Sequence, residues 1–475
     1  MARINTNISA LTAQRNLNAS YKSLNTTMEH LATGLRISRG KDDPAGLIVS
    51  ERLRTEIAAA NQAVANTQRA KLIVSTAEGA LDEVASLLKD IQAKVVEAAN
   101  EGAFSEDERR ANQLQIDSAI DSITRIANTT SFAGRKLLDG SLQYDTSGLD
   151  LSKIRSCQIH AAQFGSRDAI SVTVNVLSPA SQARLSFPFS ALGNSGEVTV
   201  EIRGTKGVTT LQFASNATAS QIAEAIAAVA DATGVSASVS TTLTAGFVVY
   251  SRGYGSKEFV KIRVLSEGQN FGTVTPASPV DARGVDAVAQ VNGAQAAADG
   301  NHISMKNSSI DLELDLLADW ASNTSFYITG GGALFQVGPQ INTNMQLNLA
   351  ITSVHASQLG DAVTGYLSQI KTGGEYDLAS GEYTRAAEIV TKAVDRISVL
   401  RGRLGAFERN TLDTNMNQLG ITVENLMSAE SAIRDADFAY ETSRLARDQI
   451  LVNAGTTVLT LANQTTQSVL RLLGG

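Results

Sequence analysis

The chain has 475 residues, of which 43% are hydrophobic, 18% charged and only 5% aromatic, and it contains one cysteine, Cys157. This composition excludes an intramolecular disulfide framework and is typical of long helices packed by aliphatic and small side chains. The net charge of −7 argues against general electrostatic binding of nucleic acid. No stretch supplies the roughly 20 apolar residues that span a bilayer, so we expect no membrane insertion.

The first predicted helix carries an apolar residue alternately every four and every three positions. The members of this stripe are Leu17, Tyr21, Leu24, Met28, Leu31 and Leu35, and Ile4, Ile8 and Leu11 extend it toward the start. Such spacing is typical of a helix that packs on a partner helix. The residues that follow predict a break or hinge, marked by Gly34, Gly40, Pro44 and Gly46.

A second helix is predicted from Pro44, a favourable first-turn residue, to about Asn100. It is about 80 Å long at a rise of 1.5 Å per residue. Its apolar stripe comprises Ala70, Ile73, Ala77, Ala80, Val84, Leu87 and Ile91. Ser105 and Glu108 form a capping box that predicts the start of a third helix. The segment that begins at Lys136 predicts a turn into short strands.

From about residue 171 to 330 the apolar period changes from helical spacing to two. Val198, Val200 and Ile202 alternate with polar residues, and similar runs recur with Gly, Ser, Thr and Asn between them. Thr218 and Gln221 form a second capping box and predict one short helix. This region is therefore predicted to be a β-rich insertion with about one helix.

From about residue 383 the helical spacing returns. Its stripe runs through Ala386, Val390, Ala393, Ile397, Leu400, Leu404 and Phe407, shifts phase by one residue, and continues through Leu412, Met416, Leu419, Val423 and Leu426. A final helix carries Leu451, Ala454, Val458 and Leu461, with Leu472 near the end. We expect the stripe of this last helix to face Leu24 and Leu31 of the first.

The predicted fold is mainly α: a long coiled-coil helical bundle formed by both termini, with an inserted β-rich α+β outer region. We expect a terminal coiled-coil domain from 1–44 and 431–475, a helical bundle domain with a short hairpin from 45–170 and 331–430, and the insertion at 171–330. Two paired helices cannot cover every apolar residue at the termini. The remainder, which includes Ile8, Tyr21, Leu445, Ile450 and Leu470, indicates self-association.

Signals for catalysis are weak, and we expect no enzyme, no cofactor and no metal. The four histidines are scattered and no HExxH motif occurs. The segment from Gly34 to Lys41 resembles a phosphate-binding loop, but Asp42 stands where Ser or Thr would bind Mg²⁺. We interpret it as a hinge. Asp311, Glu313, Asp315 and Asp319 could suggest a cation site, but the first three alternate with leucines, which favours one solvated strand face.

Several ordered motifs resemble those of bacterial flagellin. At the amino-terminal end these are Met1-Ala-Arg-Ile-Asn-Thr-Asn, Leu31-Ala-Thr-Gly-Leu-Arg-Ile, Lys41-Asp-Asp-Pro-Ala-Gly and Phe132-Ala-Gly-Arg-Lys-Leu-Leu-Asp-Gly. At the other end they are Asn425-Leu-Met-Ser-Ala-Glu-Ser-Ala-Ile-Arg-Asp-Ala-Asp and Gln449-Ile-Leu-Val-Asn-Ala-Gly. The match covers roughly 1–170 and 331–475.

The resemblance implies a structural protein that polymerises into the helical flagellar filament and confers motility. It implies that both termini pair as a coiled coil lining the filament core, with the insertion projecting outward. The implied partners are further copies of the chain, the flagellar cap, hook-associated proteins, an export chaperone and the type III export apparatus. The implied location is extracellular. The N-terminus has no continuous apolar segment, so we expect export without a cleaved signal peptide.

One departure from the family concerns recognition by an innate-immune Toll-like receptor. Many flagellins present an Arg and a Leu on the long helix, and the matching positions here are Asp90 and Lys94. The reversed charge and the lost apolar contact predict weaker recognition. Three alternatives to a filament subunit are a hook–filament junction protein, a filament subunit with an enzymatic insertion, and a stalk with a glycan-binding head.

Overall fold

A computed structural model describes residues 6–102, 105–165, 167–193, 196–240, 246–266, 269–276, 279–307, 309–318 and 320–473. From 465 to 473 it describes the helical backbone alone. Ile4 and Asp319, and the side chains of Leu470 and Leu472, therefore lie outside the described residues. The chain divides into two compact units, one made of residues up to 70, 336–341 and from 409 onward, the other of 71–335 and 342–408.

The helices follow the order that the apolar spacing predicts. They are α1 (Ile8–Thr33), α2 (Pro44–Ala98), α3 (Glu106–Thr129), α4 (Ala219–Ala228), α5 (Ala230–Thr233), α6 (Tyr383–Phe407), α7 (Thr414–Arg434) and α8 (Phe438–Leu473). Short 3-10 turns lie at Thr343–Met345 and Leu367–Ile370. Both predicted capping boxes are present, at Ser105 before α3 and at Thr218 before α4.

The one-residue shift in the apolar stripe after Phe407 has a structural cause. Residues Glu408–Asp413 form a π-helix between α6 and α7. A π-helical turn bonds residue i to i+5, so it inserts one extra residue into the helical ladder. The buried Leu404 before it and the buried Leu412 within it therefore remain on one face.

The strands in chain order are β1 (Ser131–Phe132), β2 (Arg135–Lys136), β3 (Tyr144–Ser147), β4 (Ile154–Ala162), β5 (Ile170–Ser178), β6 (Arg184–Phe187), β7 (Val198–Arg203), β8 (Val208–Phe213), β9 (Val235–Val239), β10 (Phe247–Ser251), β11 (Phe259–Val264), β12 (Val280–Arg283), β13 (Val288–Val291), β14 (Ala294–Gln295), β15 (Ala297–Asp299), β16 (His302–Lys306), β17 (Ile310–Leu316), β18 (Asn323–Gly331), β19 (Ala333–Gln336), β20 (Gln346–Leu349), β21 (Gly360–Asp361) and β22 (Gly365–Tyr366).

Two sheets share one core and form what we call the larger β domain, residues 144–180, 287–335 and 342–350. Their strand orders are β14-β13-β5-β18-β3 and β15-β16-β17-β4. The core includes Val172, Val174, Leu312, Leu314 and Phe326, all essentially buried. Ile310, Leu312 and Leu314 of β17 alternate with acidic residues and are buried in this core, as the period-two spacing predicts.

A second β-rich domain is inserted into the first, and we call residues 183–283 the nested module. Its sheets have the orders β12-β11-β7-β8 and β6-β10-β9, and α4 packs on them. Where the chain enters and leaves, the Ser181 and Val285 backbones exchange two hydrogen bonds of 2.8 and 3.2 Å. The module is thus closed by a narrow two-strand neck.

The strand pairing extends beyond the predicted insertion of 171–330. β3 and β4, at residues 144–162, pair with β18 and β17 inside that range. The β4–β17 ladder contains two register shifts, so β4 lacks the clean alternation of apolar and polar residues that marks a strand in sequence. The predicted division of the chain into a terminal coiled-coil domain, a helical bundle domain and an insertion stays a prediction.

Candidate functional site

The two terminal helices, α1 and α8, pack against each other in antiparallel order. Near the start of α1 the Asn7 side-chain amide donates a hydrogen bond to the Ala462 carbonyl, at 2.9 Å. At the other end His30 Nδ1 lies 2.9 Å from Glu441 Oε1. These two contacts fix the register of the pair along its length.

The packed seam of this pair consists of small, apolar and polar residues. On α1 the buried members are Ala13, Leu17, Thr27 and His30, and on α8 they are Glu441, Asp448, Val452 and Ala462. Leu24 and Leu31 are half-buried. Gly455 also belongs to the seam, because a Cβ built there would lie 3.0 Å from Leu17 Cδ1. Leucine therefore packs on a glycine at this point.

The prediction that Leu451, Val458 and Leu461 lie on the face of α8 that matches Leu24 and Leu31 of α1 is wrong. These residues lie on another side of α8, where Leu451, Val458 and Leu461 are 47%, 54% and 60% exposed. α8 carries two heptad stripes about a quarter-turn or more apart. A prediction that counts only apolar residues selects the more hydrophobic stripe as the partner of α1. In the structure, α1 packs on the stripe that contains Glu441 and Asp448.

We call Ile450, Leu451, Ala454, Val458 and Leu461 the outer stripe of α8. Their spacing places them on one side of the helix, and all five are exposed. On α1, Ile8, Leu11, Tyr21 and Met28 are also exposed, as expected for Ile8 and Tyr21. Leu445 is half-buried. A continuous row of large exposed apolar side chains marks an interaction surface.

Two carboxylates lie inside the seam with polar partners on α1. Asp448, 2% exposed, accepts hydrogen bonds from Ser23 Oγ at 2.7 Å and Thr27 Oγ1 at 3.4 Å. Glu441, 4% exposed, pairs with His30. The sequence analysis missed these two buried carboxylates because it counted only apolar residues. The signal was present in the seven-residue spacing of Glu441, Asp448, Gly455 and Ala462.

The connection between α1 and α2 is the predicted hinge. Gly34 ends α1 with φ +72°, and its N–H donates to the His30 carbonyl at 2.9 Å. Leu35 therefore lies beyond α1, where it bridges Asp435, and its assignment to the helical stripe is corrected. Hinge motion at Gly34, Gly40, Pro44 and Gly46 stays a prediction.

The start of α2 is tightly built. The Gly46 N–H donates to Asp43 Oδ1 at 2.9 Å, so Asp43 caps the helix that begins at Pro44. A Cβ on Gly46 would lie 2.4 Å from Asp43 Oδ2. The backbone N–H of Arg39 holds the pKa of Asp42 below its usual value. Asp42 thus acts in a local turn, which agrees with rejecting a phosphate-binding loop.

The positions that match the receptor contacts lie on α2. Asp90 is exposed, and Lys94 forms an ion pair with Glu97 at 2.8 Å. Both line a groove of about 560 Å³ between α2 and α3, together with the exposed Leu114. Weakened recognition at this groove stays a prediction.

The acidic strand β17 is not a solvated face. Arg403 donates to Glu313 Oε1 at 2.8 Å, and His302 Nδ1 lies 2.7 Å from Asp315 Oδ1. His160 Nε2 lies 3.4 Å from Glu313 Oε2. Side chains of β4, β16 and α6 pair with these carboxylates, which stay partly exposed, and sequence spacing within one strand could not show these partners.

Among the described residues no group of three or more His, Cys, Asp or Glu is arranged to hold a metal ion. Burial raises the pKa of the Cys157 thiol to about 12, so it is protonated near neutral pH. In the same part of the chain no helix is long and apolar enough to cross a membrane.

Comparison with protein families gives three matches along the chain. Residues 4–143 match the bacterial flagellin N-terminal helical region and residues 387–473 match the bacterial flagellin C-terminal helical region. Residues 199–253, inside the nested module, match the flagellin hook IN motif.

Individual relatives match over their whole length. The chain is 30% identical to the B-type flagellin of Pseudomonas aeruginosa, with 99% of each chain covered. It is also 30% identical to a flagellin of Clostridium tyrobutyricum, covering 98% of this chain and 100% of that one. Among solved structures, the flagellar cap protein FliD D2-D3 domains from Escherichia coli match 40% of this chain and 99% of theirs at 16% identity. The TM-score of this match is 0.28. The chain belongs to the bacterial flagellins, the structural subunits of the flagellar filament.

Proposed function

We propose that this flagellin polymerises through the apolar side chains that its terminal helix pair leaves exposed. The observation that carries this proposal is the outer stripe of α8, where Ile450, Leu451, Val458 and Leu461 remain 47–67% exposed while the seam beneath is closed. Burying one large aliphatic side chain contributes about 1.5–3 kcal/mol. Four such residues supply a substantial part of one subunit contact.

The contact is between different surfaces of successive copies. Such heterologous contacts that do not close into a ring generate a helical filament. Both terminal helices then lie in the filament core as a coiled coil, and the β-rich region projects outward. Filament assembly thus uses the most exposed apolar surface of the termini.

Family membership supports further partners for this chain. They are the flagellar cap at the tip, hook-associated proteins at the base, an export chaperone, and the type III export apparatus that delivers the chain outside the cell. Export without a cleaved signal peptide belongs to the same proposal. The hook–filament junction role has no support, because the relatives that match over the full chain are flagellins.

The assembly surface is tested by placing a charge on the outer stripe. Val458→Asp should raise the concentration needed for polymerisation by at least about ten-fold, because an unpaired carboxylate would be buried in the polymer. Thr456→Asp is the matched control, since Thr456 is exposed on another side of α8. Sedimentation of filaments measures both. Normal polymerisation of Val458→Asp would contradict the proposal.

Recognition by the Toll-like receptor is proposed to be weak. Asp90 places a negative charge in the groove between α2 and α3, at the position where many flagellins carry an Arg. Endotoxin-free monomer should therefore signal poorly in a receptor reporter cell. Asp90→Arg with Lys94→Leu should increase the signal, and full signalling by the unmodified chain would refute the idea.

A further inference from the structure

Helix α8 offers α1 two stripes, and the less hydrophobic one is used. The outer stripe is wholly apolar, whereas the seam stripe contains Glu441 and Asp448. Hydrophobic burial alone would place the outer stripe against α1. Another interaction therefore decides between the two faces.

The polar partners on α1 distinguish the faces. Ser23 Oγ and Thr27 Oγ1 both donate to Asp448 Oδ2. Arg444 of α8 adds to this group, with its guanidinium 3.4 Å from Ser23 Oγ. We call Ser23, Thr27, His30, Glu441 and Asp448 the polar ladder.

The alternative packing leaves the ladder broken. If α8 turned so that its outer stripe faced α1, the carboxylates of Asp448 and Glu441 would turn away, and Thr27 and His30 would lose these partners. Thr27 and His30 are buried in the seam, and buried polar groups without partners are strongly disfavoured. A single buried polar pair can likewise fix the register and partner of a coiled coil.

We propose that the polar ladder selects which face of α8 packs on α1, and so keeps the outer stripe free for a second copy of this chain. The role of the outer stripe rests on the proposed function, whereas the choice of the α8 face concerns pairing within one chain. The ladder thus separates the intrachain contact from the interchain contact on one helix.

The packing of Leu17 on Gly455 provides a reporter for the selected face. A Cβ built on Gly455 lies 3.6 Å from Leu17 Cβ, a distance suited to a disulfide. Leu17→Cys with Gly455→Cys reports the observed face, and Leu17→Cys with Ala454→Cys reports the outer stripe at nearly the same level. Both pairs are made in a Cys157→Ser background, which removes the one native thiol.

The test compares these two reporters in full-length chains with and without the ladder. The ladder variant carries Ser23→Ala, Thr27→Val, His30→Leu, Glu441→Leu and Asp448→Leu, and a smaller variant carries Thr27→Val and Asp448→Leu. A matched control makes exposed positions of α8 more apolar through Gln449→Leu, Thr456→Val and Thr460→Val. After mild oxidation, gel mobility separates intrachain disulfides from covalent dimers.

With the ladder intact, the 17/455 pair should form at least about five times more intrachain disulfide than the 17/454 pair. In the ladder variant that ratio should fall toward one, and in the control it should not change. An unchanged ratio in both ladder variants would overturn the proposal. Loss of the 17/455 disulfide without a gain at 17/454 would also overturn it, since the ladder would then merely hold the helices together.

The disulfide ratio is compared within one state, filament with filament and soluble chain with soluble chain. If Val458→Asp did not affect assembly, the proposed assembly surface would be contradicted, but the proposal of face selection would not. A constant disulfide ratio would contradict face selection, but it would not contradict the proposed assembly surface.

Discussion

The nested module has an aromatic core, whereas the terminal helix pair buries a mixture of apolar and polar residues. The module encloses five phenylalanines in one cluster, Phe187, Phe189, Phe213, Phe247 and Phe271, with ring centroids 5.1–6.1 Å apart. The terminal pair encloses Thr27, His30, Glu441 and Asp448 and exposes leucines and valines. The module is complete by itself, whereas the terminal pair still has apolar surface to bury. From this difference we expect the module to fold alone and the terminal pair to fold together with other copies of the chain.

The largest expected effect comes from where the β-rich region is cut. Removing 182–284 and joining Ser181 to Val285 through a short linker should leave folded, polymerising chains, because the neck already brings these residues together. Removing 171–330 should give aggregates, because β3 and β4 lose their partner strands. Electron microscopy and light scattering measure the outcome. If the chain without 171–330 formed filaments, folding and assembly would not require the partner strands of β3 and β4.

A smaller effect is expected from a cavity in the module. Phe247→Ala should destabilise the nested module by about 3–5 kcal/mol, because Phe247 is fully buried among the other rings. Filament assembly should be unaffected. A urea titration gives the first value, and Val208→Ala on an exposed site is the control. Loss of filaments in Phe247→Ala would contradict the independence of the two regions.

The smallest effect is a pH dependence in the larger β domain. The hydrogen bond that His302 donates to the Asp315 carboxylate raises the pKa of His302, so the protonated form is favoured in the folded state. This contribution is fully present below the unfolded pKa of histidine and is lost as pH rises through the raised value. His302 is 45% exposed, so screening limits the effect to under about 1 kcal/mol.

The measurement is urea unfolding at pH 6 and pH 8, followed through the single tryptophan, Trp320, which packs on the same core. The unmodified chain should lose stability from pH 6 to pH 8, and His302→Gln should lose less. Equal pH dependence in both proteins would show that His302 does not titrate between these values.

Sequence reasoning succeeded where one local pattern decides the structure. The capping boxes at Ser105 and Thr218, the proline at the start of α2 and the phase shift before Leu412 each depend on a few neighbouring residues. It failed where the decision is made by residues far apart. The face of α8 depends on side chains of α1 more than 400 positions away, and β4 is recognised as a strand through its bulged pairing with β17.

The central claim is that the terminal helices are stabilised mainly by other copies of the chain. Helices in proteins gain most of their stability from packing, and the terminal pair leaves much of its apolar surface exposed. Hydrogen exchange of backbone amides at 8–33 and 438–464, compared between soluble monomer and filament, tests this most directly. The account predicts exchange at least about 100-fold slower in filaments, with nested-module amides protected in both states. Equal protection of the terminal amides in monomer and filament would contradict it.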